Sequence, residues 1–135
     1  MTDKIRVVAI AFFRTTDQKY LLCRRGPQES GAGAWEFPGG KIDQGESEKQ
    51  ALVREIQEEL SVQILEDDLV YVSDHLHQYE TKMIHIYLFK YDISELEYQL
   101  IDHDQAEWVS YDDLLSFPLA LADIPFVEAL KLVQK

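Results

Sequence analysis

Glu55, Glu58 and Glu59 crowd one short run, Val53-Arg54-Glu55-Ile56-Gln57-Glu58-Glu59-Leu60. Each residue of an α-helix turns about 100°, so positions i, i+3 and i+4 project from one face. Like charges at these spacings oppose an isolated helix by about 0.2–0.5 kcal/mol per pair, so helix stability does not account for the cluster. A cation between the carboxylates does. Oxygen-only donors at a partly exposed helix edge suit hard divalent cations such as Mg²⁺ or Mn²⁺, which keep several waters and also bind phosphate oxygens. The chemistry indicated is phosphate chemistry. The competing reading is a solvated charged face in which Arg54 pairs with Glu58 one turn on.

The elements that must carry these residues follow from periodicity and punctuation. Pro38-Gly39-Gly40 and a loop to Gly45 lead into a helix from about Ser47 to Leu60, with Val53, Ile56 and Leu60 on the face beside the glutamates. Ile5 to Phe13 and Lys19 to Arg24 are apolar, partly β-branched runs across a polar turn, the pattern of a hairpin. Gly26 to Gly33 reads as a loop and Trp35-Glu36-Phe37 as a short extended piece. Leu69 to Tyr79, Ile84 to Tyr91 and Ala106 to Ser110 are further strands, His75, His77 and Tyr79 sharing one face of the first. Asp112 to Phe117 reads as a helical turn. A last helix runs to about Val133, with Asp123 as N-cap, Pro125 in the first turn, and Phe126, Leu130 and Val133 on its packing face. The expectation is α/β: a mixed sheet with helices on both sides, in one domain spanning 1–135.

A length of 135 residues, 46% hydrophobic and 28% charged, suits one globular core. The balance of 13 basic against 25 acidic residues, net −12, argues against a grip on polymeric nucleic acid through its phosphates. A small anion would need local cations or metal ions. Cys23 is the only cysteine, excluding an internal disulfide, and its apolar neighbours Tyr20-Leu21-Leu22 mark it as a buried thiol. The first apolar run is too short for the roughly 20 residues that span a bilayer. A cytoplasmic protein, monomeric or homodimeric and without a membrane partner, is expected. The spacing of His75, His77 and His85 does not bring a convincing third ligand, so no histidine metal site is assigned.

From Gly40 through Glu46 to Arg54-Glu55-Ile56-Gln57-Glu58-Glu59-Leu60-Ser61-Val62 the chain resembles the Nudix box, GX5EX7REUXEEXGU, where U is a bulky aliphatic residue. Ser61 alone departs from it, in place of a glycine that ends the helix. If Ser61 adopts the same left-handed backbone, the cost is about 1 kcal/mol. The resemblance implies the Nudix fold, an α/β/α sandwich. It also implies divalent metals on Glu55, Glu58, Glu59 and the Gly40 carbonyl, with Arg54 and Glu46 orienting the cluster. The general base is Glu55 or a later loop carboxylate, for which Asp102 is the candidate, Asp104 the second, and His103 a partner or surface decoration.

Arg24-Arg25, Trp35-Glu36-Phe37-Pro38-Gly39-Gly40-Lys41, Glu107-Trp108, Phe117-Pro118 and Ala122-Asp123-Ile124-Pro125 further resemble the MutT branch across nearly the whole chain. That branch converts nucleoside triphosphates to the monophosphate and pyrophosphate. It includes enzymes that clear 8-oxo-dGTP and a relative preferring CTP and its 5-methylated forms, which the run PLALADIP resembles more. An ionised Asp123 only accepts hydrogen bonds, so it would favour a base edge rich in N–H donors, such as the amino group of cytosine or the N1/N2 edge of a guanine. Phe37 either stacks on a base or is buried beside Pro38, and Arg25 either reaches the nucleotide or lies on the surface. Lys41 joins Arg25, Phe37 and Asp123 in the expected substrate-binding set. A hydrolase of another nucleoside diphosphate derivative such as ADP-ribose, and a sensing module without catalysis, are the alternatives. Sensing modules typically lose box glutamates, and this chain keeps them all.

Overall fold

The computed structural model describes residues 3–133. A long strand β1 (Asp3–Arg14) runs through the sheet and turns at Gln18 into β2 (Lys19–Arg25), with Phe13 opposite Tyr20. Two-residue β3 (Trp35–Glu36) pairs with β2 on one side, and β4 (Gly39–Lys41) lies antiparallel to β1. After helix α1 (Glu48–Leu60), β5 (Val70–Tyr79) and β6 (Lys82–Ile93) form an antiparallel pair, and β6 runs parallel to β1 along its whole length. Strand β7 (His103–Ser110) returns to pair with β2, and helix α2 (Ile124–Val133) follows two 3-10 segments. The seven strands form one mixed sheet.

Alternation along β1 and β2 builds two cores. Val8, Ile10, Phe12, Leu21 and Cys23 pack against Leu52, Ile56 and Leu60 of α1. Ala9, Ala11, Tyr20 and Leu22 face the other way, against Phe126, Val127 and Leu130 of α2. Each fully buried large aliphatic or aromatic side chain contributes about 1.5–3 kcal/mol, enough to place both helices. The α/β/α layering expected from the sequence is therefore present. Cys23 is a core residue whose thiol is pushed up by burial, as its apolar neighbours indicated.

Helix α1 starts on a reciprocal cap. Ser47 accepts from the Gln50 amide, and the Gln50 side chain accepts from the Ser47 amide at 3.0 Å. At its other end Ser61 sits at φ 57°, ψ 38°, and its N–H donates to the Gln57 carbonyl. The serine thus takes the left-handed conformation that glycine adopts without steric cost.

The fold departs from the sequence reading at three places near the cleft. Gly39–Lys41, read as loop, is a strand, and a Cβ on Gly39 would lie 1.9 Å from the Val8 carbonyl oxygen. Glycine permits that approach yet carries no side-chain pattern by which a strand is recognised. Strand β7 begins at His103 rather than Ala106, which takes His103 and Asp104 out of the loop. Asp123 is not the side-chain cap of α2. It closes a 3-10 turn, and its carboxylate accepts from the Phe37 amide at 3.0 Å instead.

Candidate active site

A cleft of about 240 Å³ opens where β1 and β4 meet the edge of α1 and the adjoining ends of β2, β3 and β7. Gly40 and Glu59 line one part of it, and Phe37 and Asp123 another, with Arg25 and Glu36 also in the wall. Helix α1 is buried along Leu52, Ile56 and Leu60, which leaves Glu55 and Glu59 on its flank beside the cleft and Glu58 exposed.

Arg54 is the hub of the glutamate cluster. It meets Glu46 at two points, Nε to Oε2 at 2.7 Å and Nη2 to Oε1 at 2.8 Å. Its Nη1 donates to Glu55 Oε1 at 2.9 Å and to Glu58 Oε1 at 3.0 Å, and Nη2 also reaches the Lys41 carbonyl at 3.0 Å. The simple Arg54–Glu58 pair weighed from spacing is therefore one contact in a network of three carboxylates. Hydrogen bonding from Arg54, reinforced by the Asp43 amide, holds the Glu46 carboxyl down at about 2. One cation thus neutralises part of the cluster and fixes Glu55 from the side.

Glu59 has no such partner. Its Oε2 is shielded from solvent and makes no hydrogen bond. Burial pushes its carboxyl up to about 8, helped by the charges of Glu36, Glu55 and Asp102. Burial likewise raises Glu55, with Arg54 opposing. Gly40 lies so close that an added Cβ would sit 2.3 Å from the Glu55 carboxylate. Among the described residues, no three acidic, imidazole or thiol groups close tightly enough to enclose an ion alone. An orphaned carboxylate oxygen beside a second raised carboxyl still fits a hard cation that completes its shell with water and substrate phosphate. The residues present thus fit a divalent cation of the kind the box resemblance implies.

At the Asp123 end the lining side chains are deeply buried. Asp123 is 4% exposed, and burial, then the charge of Glu36, raises its carboxyl well above the ordinary range. Phe37 is buried as well and lends its backbone N–H to Asp123, while still lining the cavity. Arg25 points Nη1 at Glu36 Oε1, 2.8 Å, and Nε at the Ser30 carbonyl. It is therefore anchored in the wall, unlike a free surface arginine. Lys41 lies exposed at the rim.

Asp102 also reaches the cleft, on the last residue before β7. Asp104 does not: Arg24 holds it in a two-point pair at 2.7 and 2.9 Å outside the cavity. His103 is no surface decoration. It is 7% exposed, and its Nε2 lies 2.9 Å from Glu36 Oε2. Glu36 is a wall residue that the sequence did not assign to the site, and His103, read there as a partner of Asp102 or surface decoration, is instead bonded to Glu36. A lone carboxylate between Trp35 and Phe37 was the available signal, since an acidic residue in an apolar strand needs a partner when buried. Of the other histidines, His75 packs on Phe126 at 4.7 Å and His85 pairs with Asp74 at 2.6 Å, both away from the cleft residues.

The architecture is thus a glutamate-bearing helix flanking a cleft in an α/β/α sandwich. Residues 4–130 match the NUDIX domain family, and the chain belongs to it: this is a Nudix hydrolase. The chain is 39% identical over 125 residues to the CTP pyrophosphohydrolase of Escherichia coli (strain K12), covering 93% of this chain and 90% of that protein. It is also 40% identical over 55 residues to the 8-oxo-dGTP diphosphatase of the same organism, covering 41% of this chain and 43% of that one. In fold it superposes on the crystal structure of a MutT protein from Methanosarcina mazei Go1 with a TM-score of 0.87 at 23% identity, over 99% of this chain and 98% of that chain. Among the described residues no helix is long and apolar enough to cross a membrane.

Proposed function

We propose that the chain is a Mg²⁺-dependent nucleoside triphosphate pyrophosphohydrolase, converting NTP and water to NMP and pyrophosphate. The carrying observation is that one cleft joins Glu59 of α1, with Glu55 against the cleft residue Gly40, to a buried end lined by Phe37 and Asp123. Glu55, Glu58, Glu59 and the Gly40 carbonyl would hold the divalent ion, which when bound would offset triphosphate charge and acidify water. Arg54 and Glu46 keep the cluster aligned. A bond forms between the water oxygen and a phosphorus of the α–β anhydride, the bridging P–O bond breaks, and Asp102 or Glu55 takes the water proton. The metal and Lys41 explain how a chain of net charge −12 accepts a polyanion.

The base sits against Asp123, with Phe37 beside it and Arg25 in the wall. A carboxylate there favours a base offering N–H donors, and donors aimed at it offset the burial that otherwise protonates it. The extended similarity to a CTP pyrophosphohydrolase supports a cytosine nucleotide, methylated or not, ahead of 8-oxo-dGTP. Pyrophosphate release measured over CTP, 5-methyl-dCTP, 8-oxo-dGTP, the common triphosphates and ADP-ribose, with and without Mg²⁺, tests this. Turnover of CTP-type substrates is expected, and tight binding with no turnover of any triphosphate would sink the proposal. Glu58→Gln should abolish activity in a chain that stays folded.

A further inference from the structure

His103 lies at the seam of the cleft. Cross-strand pairing sets Arg25 opposite His103 between β2 and β7, just past an irregularity in register after Arg24, and Cys23 opposite Glu36 between β2 and β3, which brings the three polar side chains together. There Glu36 is held from both sides, by Arg25 Nη1 at 2.8 Å and by His103 Nε2 at 2.9 Å. An ionised carboxylate only accepts, so Nε2 carries the proton in this contact. The other ring nitrogen, Nδ1, is buried without a partner among the described residues. An apolar side chain would avoid that desolvation penalty, so the imidazole is not accounted for by core packing. What it supplies is the bond to Glu36.

The segment just before His103 carries Asp102 and is tied down by backbone hydrogen bonds and by Tyr98 and Leu100, which pack against the α1-side core, while nothing of this kind holds the Asp102 side chain itself. The Gln99 and Ile101 amides donate to the carbonyls of Leu60 and Glu59 at the end of α1, at 2.9 and 3.3 Å. The Asp102 carbonyl presses on Gly26, where a Cβ would lie 2.5 Å away. No hydrogen bond is formed by the Asp102 side chain itself among the described contacts, although it lines the cleft. His103 is the first side chain after it that is fixed to the opposite wall.

We propose that His103 is a positioning residue for hydrolysis: by binding Glu36 it joins the β3 and β7 walls and thereby sets where Asp102 stands over the metal-binding flank of α1. The inference rests on the reading of Asp102 as the group that takes the water proton. Displacing a catalytic group by about 1 Å costs on the order of a hundredfold in rate, which sets the effect to expect.

The test is a double-mutant cycle on the full chain with CTP and Mg²⁺, alongside amide hydrogen exchange of residues 99–104. His103→Leu should lower kcat by about a hundredfold with KM within about threefold, and speed exchange in that segment. His103→Gln, whose amide can still donate to Glu36, should recover most of both. In an Asp102→Asn background His103→Leu should add less than about threefold, because the two act through one group. Full, multiplicative losses, a fall in kcat/KM confined to KM, or an Asp102→Asn protein as active as the wild type would each overturn the proposal. If His103→Leu does not fold, His103→Asn, polar but too short to reach Glu36, takes its place in the same cycle. A wild-type chain that turns over no nucleotide refutes the functional reading itself, and unchanged exchange in His103→Leu refutes the positioning independently of activity.

Discussion

The Glu55 carboxylate rests against the α-carbon of Gly40, so close that a methyl group on Gly40 would lie 2.3 Å from its carboxyl carbon. The contact joins β4 to α1 at the point where the metal-binding oxygens are expected. Glu55 is a flexible side chain, so Gly40→Ala should displace its carboxylate at small cost to the fold, about 1 kcal/mol or less. Activity should nevertheless fall by about a hundredfold. Gly39→Ala is the contrasting case, because its methyl would meet the Val8 carbonyl at 1.9 Å, backbone against backbone. It should unfold the chain at markedly lower denaturant. Denaturant melts and pyrophosphate-release rates on the two variants distinguish these outcomes.

Arg54 binds three carboxylates and a carbonyl with a planar fork that lysine cannot reproduce. Arg54→Lys should therefore lower kcat/KM by at least about tenfold, raise the Mg²⁺ concentration needed for half-maximal rate, and cost about 1–2 kcal/mol of stability. The Glu46 carboxyl, held at about 2, contributes stability that is present above its unfolded value of 4.5 and is lost as pH falls toward 2. Acid melts of wild type and Arg54→Lys should converge at low pH. Parallel curves down to pH 2 would contradict the pairing.

Glu59 gives the opposite pH dependence. Its carboxyl is raised from 4.5 to about 8, so the metal-free folded chain binds more protons than the unfolded one between those values. Stability from this group is full below 4.5 and is lost as pH rises through about 8. Thermal unfolding in EDTA should show that decline, and Glu59→Gln should remove it. Mg²⁺ binding near pH 7 should release a proton from Glu59, seen as a heat that varies with the ionisation enthalpy of the buffer. A buffer-independent heat would count against Glu59 as a ligand.

Ser61 holds a left-handed backbone at φ 57° that costs a side-chain-bearing residue about 1 kcal/mol. Ser61→Gly should stabilise the chain by up to that amount without altering kcat or KM. Chemical denaturation with paired kinetics checks both halves.

Helix α1 could be read almost to the residue, because its apolar stripe and its glutamates repeat with the helical period over a long segment. Strands β1 and β2 were legible as apolar runs across a polar turn, but the division of their side chains between two cores appeared only in the structure. Strand β4 was not, since glycines carry no pattern, and the start of β7 was hidden because His103-Asp104-Gln105 is polar yet pairs with β2. Asp123 was picked out as a cap and a base reader. Its carboxylate proves to be buried and bonded to the Phe37 amide, which removes it from the cap of α2.

Local spacing was enough to determine the acidic helix, the loop glycines before it and the family to which they belong, because those features are short-range and each residue's neighbours in sequence are its neighbours in space. The tertiary structure decided which distant side chains share the cleft. Arg25, Glu36, His103 and Asp123 come from strands and turns far apart in the chain, and they meet only because β2 pairs with both β3 and β7 while α2 closes the far face. Long-range strand pairing is set by the packing of two cores, which no local pattern encodes.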